Sequence, residues 1–117
     1  MIPTSTDSDS LLLLISKKGL SQKLMQQIKK DFELSGLTFS IDKNLTSEQF
    51  LLYLYNQIQH LVQNNFEAYL QLLYRVDVPE SSMQSSEIQN TIDFSKKATF
   101  LILKREWEKV YYREFFS

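Results

Sequence analysis

Glycine and proline are scarce in this chain, which has 117 residues and only two of each. A sandwich or barrel of many short strands needs these residues repeatedly at its turns. The sequence therefore predicts helices joined by polar turns. At this length roughly two thirds of the surface of the unfolded chain can be buried. One hydrophobic core then suffices, without a metal or a disulfide.

Composition narrows the class of protein further. The chain is 43% hydrophobic and 23% charged, which is ordinary for a folded domain. A formal net charge of −1 gives no field that would steer it toward nucleic acid. The absence of cysteine excludes disulfides, thiolate metal sites and a cysteine nucleophile, and it fits the cytoplasm. No apolar stretch approaches the roughly 18 residues of a membrane span, so we expect a soluble cytoplasmic protein.

The N-terminal part reads as a polar tail followed by helices. Residues 1–9 are rich in Ser, Thr and Asp, and we expect them to be a disordered tail before a single helical domain over 10–117. Asp9 or Ser10 would cap a first helix that ends at Gly19. Ser21 would cap a second helix, which Gly36 ends.

The middle of the chain carries the strongest helical pattern. Thr46 and Gln49 form a capping box, which predicts a helix start. Apolar residues then advance by three or four positions: Leu51, Tyr55, Ile58, Val62, Phe66, Tyr69, Leu73 and Val76. One helix could run from about 47 to 75, or two could meet at Asn64 and Asn65. A second capping box, Asn64 with Glu67, favours the break.

The rest of the chain completes a bundle. Asp77 and Glu80 bracket Pro79 and predict a short helix to about Gln89. The last helix, about 92–115, has apolar residues on more than one face, which indicates either a central position or an interface. The alternating segment 37–45 has no partner strand, so we expect a loop that inserts Phe39 and Ile41 into the core. The predicted fold is an all-α, single-domain bundle of five or six helices with two long helical elements.

The sequence contains few residues that could form a catalytic site. His60 is the only histidine and has no nucleophile motif near it, so a structural or surface role is favoured. With two glycines, a glycine-rich phosphate cradle cannot be built. We therefore predict no catalytic, cofactor-binding or metal-binding residues. The alternative is an enzyme or small-ligand binder with a pocket between helices near His60, Tyr53 or Tyr74.

Charged residues invite two hypotheses. The carboxylates are scattered, and Glu106 and Glu108 point to different faces of a helix, so we interpret the acidic residues as solvated charges and caps. Arg105, Lys109 and Arg113 recur every four residues as a basic stripe that could contact a phosphate or nucleic acid. Interleaved acidic residues favour a salt-bridged solvent face instead.

The aromatic C-terminal run is the most suggestive feature for a partner. Most aromatic stripes at helical spacing are core, yet Tyr and Trp are also enriched at interfaces. The run must dock on the bundle, on a second copy or on another protein. The candidate interface residues are Trp107, Tyr111, Tyr112, Phe115 and Phe116.

Two segments, 72–80 (Leu-Leu-Tyr-Arg-Val-Asp-Val-Pro-Glu) and 102–110 (Ile-Leu-Lys-Arg-Glu-Trp-Glu-Lys-Val), carry a resemblance. They are similar to segments of a family of small helical bacterial proteins with no assigned function, over roughly the C-terminal two thirds of the chain. The resemblance implies an all-α fold and transfers no functional residue.

Together these patterns favour a non-catalytic interaction protein, either a homodimer or an adaptor. A protein partner or homo-oligomer is expected, with no membrane association. Nucleic acid is the weakest of the alternatives.

Overall fold

The computed structural model describes residues 2–42, 44–84 and 88–116. These residues contain no strand, and the expectation of an all-α bundle is confirmed. Within these ranges the chain forms five α-helices and a short 3-10 helix. Their bounds are α1 Ser8–Lys17, α2 Ser21–Leu34, α3 Ser47–Asn64, α4 Phe66–Val76, the 3-10 helix Glu80–Met83, and α5 Thr91–Phe116.

Helix α1 begins earlier than the sequence suggested, because Asp7 and not Asp9 or Ser10 is its cap. The Asp7 carboxylate accepts a hydrogen bond from the Ser10 amide at 2.8 Å, which satisfies a free donor of the first turn. Gly19 follows the helix with φ 71°, a left-handed conformation that glycine adopts without strain. Ser21 is the first residue of α2 and does not cap it; Leu20 holds that position without a side-chain hydrogen bond.

Helices α3 and α4 confirm the predicted break. The Thr46 side chain accepts from the Gln49 amide at 3.1 Å, and the Gln49 side chain accepts from the Thr46 amide at 2.9 Å, so the capping box is formed. The side chain of Asn65 accepts from the Ala68 amide at 3.2 Å and starts α4. The cap is therefore Asn65 and not Asn64.

The buried face of α3 lies beside the predicted stripe. Of the four stripe residues in this helix, only Ile58 is buried, while Leu51, Tyr55 and Val62 are partly exposed. The buried positions of α3 are Phe50, Leu54, Ile58 and Leu61. In α4 the predicted stripe agrees better with the buried face: Tyr69, Leu73 and Val76 are buried, and only Phe66 is exposed.

Asp77 has a different role from the predicted one. It is the C-cap of α4 with φ 74° and ψ 49°, a left-handed conformation that Asp tolerates better than most residues. Its amide donates to the Leu73 carbonyl at 2.9 Å. The helix predicted to reach Gln89 is instead the 3-10 helix, and part of its predicted span, residues 85–87, lies outside the described residues.

Helix α5 is the centre of the bundle. It packs against each of the other four α-helices and against the 3-10 helix. Its buried residues occupy several faces: Ser95, Ala98, Thr99, Ile102, Leu103, Glu106, Trp107 and Val110. The multi-faced pattern of the sequence therefore corresponds to a central helix.

The loop between α2 and α3 contributes to the core as expected. Phe39 is 1% exposed and its ring centroid lies 4.4 Å from that of Phe32 and 5.0 Å from that of Tyr53. Ile41 is partly buried against the same core. The loop is thus fixed by one aromatic side chain.

We predict that Phe39→Ala lowers the free energy of unfolding by about 3–5 kcal/mol, because it removes a buried ring and leaves a cavity. Thr38→Ala, at the exposed neighbouring position, is the control and should change it by less than about 0.5 kcal/mol. Urea denaturation followed by circular dichroism measures both. Equal effects of the two substitutions would contradict the role given to this loop.

Candidate functional site

The end of α5 carries a cluster of aromatic side chains, which we call the aromatic patch: the partly buried Tyr111 and the exposed Tyr112, Phe115 and Phe116. Tyr112 is 54% exposed, Phe115 57% and Phe116 65%. The ring centroids of Tyr111 and Phe115 lie 4.6 Å apart, and those of Tyr112 and Phe116 lie 5.3 Å apart. Four neighbouring rings at the end of one helix form a continuous apolar surface.

Trp107 does not belong to this exposed surface, although the sequence grouped it with the candidate interface. It is 0% exposed, and its indole N–H donates to the Pro3 carbonyl at 2.7 Å. Its ring contacts Tyr111 edge-on, with centroids 5.5 Å apart. Trp107 therefore connects the core to the patch. The same contact places residue 3, within the predicted tail, against α5.

Each cation of the basic stripe has a partner within the chain. Arg105 Nη2 lies 3.2 Å from Asp77 Oδ2. Lys109 Nζ lies 2.9 Å from Asp31 Oδ2, and Arg113 donates to the side-chain oxygen of Gln27. The stripe thus faces α2 and the end of α4. The predicted ion pairing is present, but the Lys109 side chain, 19% exposed, does not lie on a solvent face.

Two carboxyl groups are buried where α2 crosses α5. Asp31 is 4% exposed and Glu106 is 0% exposed. Lys109 lies between them, with Nζ 2.9 Å from Asp31 Oδ2 and 3.1 Å from Glu106 Oε1. Gln27 Nε2 donates to Asp31 at 3.1 Å, whereas neither oxygen of Glu106 makes a hydrogen bond of good geometry within the described part of the chain. One ammonium therefore lies between two buried carboxyl groups.

The environment separates the pKa values of the two acids. Burial raises the pKa of Glu106 to about 9, and the adjacent Asp31 acts in the same direction against the weaker effect of Lys109. Burial alone would raise the pKa of Asp31 as well. The contacts with Glu106, Lys109 and Gln27 outweigh that effect and lower the pKa of Asp31. At neutral pH the pair holds one proton, on Glu106, next to an ionised Asp31.

The sequence interpretation of these acids as solvated charges and caps is wrong for Asp31 and Glu106. The available signal was their position in the apolar pattern. Asp31 lies three residues after buried Ile28, and Glu106 three residues after buried Leu103, so both fall on inward faces. Their convergence depends on how α2 crosses α5, which no spacing within one helix reveals.

The residues proposed for an alternative pocket are dispersed. His60 is exposed, and its Nδ1 lies 3.1 Å from the Asn64 side-chain nitrogen. The Tyr53 hydroxyl accepts from the Ser40 amide at 2.9 Å. Tyr74 is 62% exposed, and its hydroxyl donates a hydrogen bond to the Glu80 carboxylate. It borders a surface depression of about 420 Å³. The three residues do not line a common cavity.

A larger cleft of about 910 Å³ opens where the N-terminal ends of α1, α3 and α5 meet. Its apolar lining includes Leu51, Tyr55 and Phe100, and Glu48 and Lys96 are among its charged lining residues. Neither His60 nor the two tyrosines of the alternative hypothesis lines it. Across the described ranges, no three His, Cys, Asp or Glu side chains come together to hold a metal ion.

The geometry defines the chain as an all-α, single-domain bundle. Comparisons with protein-family models, with curated proteins and with solved structures find no match. Among the helices of residues 2–42, 44–84 and 88–116, none has the length and apolar character needed to cross a bilayer.

We predict that Glu106→Gln removes a pH dependence of stability. The ordinary pKa of 4.5 applies in the unfolded state and about 9 in the folded state. Between these values the folded protein keeps a proton that the unfolded chain has lost. The free energy of unfolding therefore falls as pH rises, by up to about 1.4 kcal/mol per unit.

Urea denaturation at pH 5, 7 and 9 tests this prediction. Glu106→Gln should gain stability relative to the unmodified chain as pH rises. Glu108→Gln, on the same helix with a side chain 32% exposed, is the control and should keep the original slope. If the stability of Glu106→Gln changes with pH as steeply as that of the control, the raised pKa of Glu106 is contradicted.

Asp31 has the opposite effect at low pH. Because its pKa in the folded state is lowered from 3.8, the free energy of unfolding decreases as pH falls below that value.

Proposed function

We propose that this chain is a non-catalytic protein–protein interaction domain, and that it forms a homodimer through the aromatic patch. The observation that carries the proposal is the exposure of Tyr112, Phe115 and Phe116 as one group at the end of the central helix. Aromatic residues are enriched in interface cores and in the hot spots of binding. An exposed group of this kind is unfavourable in water unless a partner covers it.

The exposed area sets the size of the contact. Three side chains that are each slightly more than half exposed present roughly 350 Å² of aromatic surface, given 150–250 Å² for a whole aromatic side chain. A stable interface buries about 800 Å² on each partner. The patch is therefore the centre of a larger interface, and polar residues around it form the rim.

Charge supports a second copy of the chain as the partner. The formal net charge of −1 produces little repulsion between two copies. Arg113 and Glu114 lie beside the patch with opposite signs, and each is paired within the chain with a residue of α2, Gln27 and Lys23 respectively. A homodimer would therefore bury the apolar residues of this helix end without a large repulsion between the two copies.

Two alternatives have less support. The cations of the basic stripe are engaged with Asp77, Asp31 and Gln27, which disfavours nucleic acid. An enzyme or ligand site near His60 lacks a cavity that joins the suggested residues. The chain could instead be an adaptor that binds a different protein through the same aromatic patch. A monomeric chain in solution would favour this alternative over the homodimer.

The proposal also includes a cytoplasmic location and a bacterial family of small helical proteins. The absence of cysteine supports the first. The sequence segments 72–80 and 102–110 support the second.

We predict that the double substitution Phe115→Ser and Phe116→Ser weakens self-association by about thirtyfold or more, equivalent to about 2 kcal/mol. Light scattering coupled to gel filtration over a concentration series measures the dissociation constant. The fold should remain, because both side chains are exposed, and circular dichroism verifies this.

The matched control is Leu13→Ser with Leu34→Ser, two apolar residues that are 57% and 54% exposed outside the patch. They should leave the dissociation constant unchanged. A strictly monomeric unmodified chain at high concentration would overturn the homodimer. Equal weakening by both double variants would overturn the assignment to the patch.

A further inference from the structure

Residues 2–5, which we call the Pro3 segment, contact the core and α5 through Ile2 and Pro3. They form no helix or strand. Proline fixes its own φ near −65° and restricts the preceding residue to extended conformations, so Ile2 and Pro3 are predisposed to an extended shape. Ile2 packs against the hydrophobic core, and the Pro3 carbonyl accepts the Trp107 indole N–H at 2.7 Å.

The chemistry of this contact suits a proline-containing ligand. The indole of Trp107 offers a hydrogen-bond donor within an aromatic surface continued by Tyr111. Proline has no N–H, so it needs only a donor for its carbonyl and leaves no backbone group unsatisfied. Aromatic grooves recognise extended proline-rich segments in other proteins by the same combination of rings and preformed backbone.

The Pro3 segment can leave without disrupting a helix. Helix α1 is capped by Asp7, which lies beyond the segment. Thr4 and Thr6 are exposed. Displacement therefore breaks the indole hydrogen bond and the packing of Ile2, but no element of secondary structure. A tethered segment of this kind competes with external ligands at an effective concentration in the millimolar range.

We propose that the surface around Trp107 is a binding groove for an extended segment of a partner protein that carries an aliphatic residue followed by proline, and that the Pro3 segment occupies this groove in cis. The partner segment binds when it displaces residues 2–5. This site goes beyond the proposed homodimer, since the groove is covered in the monomer whereas the aromatic patch is exposed. Tyr111 borders both surfaces.

The single tryptophan provides the test, because all indole fluorescence comes from Trp107. The full chain with Ile2→Asp and Pro3→Gly should retain its helices but expose Trp107, giving a red-shifted emission and stronger quenching by acrylamide. The probe is a capped synthetic peptide, Ile-Pro-Thr-Ser-Thr-Asp-Ser. It should return the emission toward that of the unmodified chain.

Two comparisons make the test specific. A control peptide with Asp and Gly in place of Ile and Pro should bind at least about tenfold more weakly. The unmodified chain should bind the native-sequence peptide at least about tenfold more weakly than the variant, because its own segment competes. Leu34→Asp is the matched control for an added acid and should leave the emission unchanged.

Several outcomes would overturn the proposal. One is an unchanged Trp107 environment in the variant, and another is equal binding of the two peptides. A dimer that the Ile2 and Pro3 substitutions abolish would assign the groove to an exchanged segment of a second copy instead. If the variant loses helix content, Ile2→Ala replaces it, and the indole N–H signal of the unmodified chain is followed by NMR during peptide titration. Failure here leaves the Phe115 and Phe116 result unaffected, so the two proposals are separable.

Discussion

The structure depends on the burial of α5 from several sides at once. This helix contacts every other helix of the bundle, so the packing of α1, α2, α3 and α4 is organised around it. Trp107 and Ile102, both 0% exposed, show how completely its middle is enclosed. A helix in this position cannot keep a polar side facing water along its full length.

Glu106 is the consequence of that constraint. A carboxyl group at a core position is costly as an anion, and neutralisation by a proton lowers the cost. Asp31 and Lys109 complete a polar contact within an otherwise apolar crossing of α2 and α5. Buried polar groups of this kind can specify which register two helices adopt. Beyond Val110 the enclosure ends, and the same helix presents aromatic side chains to solvent.

Local signals predicted the parts of the fold that depend on a few neighbouring residues. The capping box at Thr46, the glycine ends of α1 and α2, and the break near Asn65 all follow from hydrogen bonds within one or two turns. The contact between Trp107 and Pro3 could not be predicted in this way. The sequence grouped Trp107 with the candidate interface residues, because its partner Pro3 lies 104 residues away in the sequence.

Features set by tertiary packing could not be predicted in the same way. The inward face of α3, which includes Phe50 and Leu54, is shifted by one residue from the predicted stripe because α3 packs against α1, α4 and α5. Apolar residues on both sides of the stripe made the phase ambiguous. The left-handed cap at Asp77 resembled a helix start because Asp is a common N-cap and also tolerates the left-handed conformation. The buried contact between Lys109 and the two acids, Asp31 and Glu106, requires α2 and α5 to cross at one point.

Helix α5 is enclosed as far as Val110, and we propose that its aromatic end binds a second copy of the chain. Amide hydrogen exchange measured at low and high protein concentration tests it most directly. The account predicts strong protection through the middle of α5 at both concentrations, with added protection at high concentration confined to residues 111–116 and their immediate surroundings. Protection of residues 111–116 that does not change with concentration would contradict it.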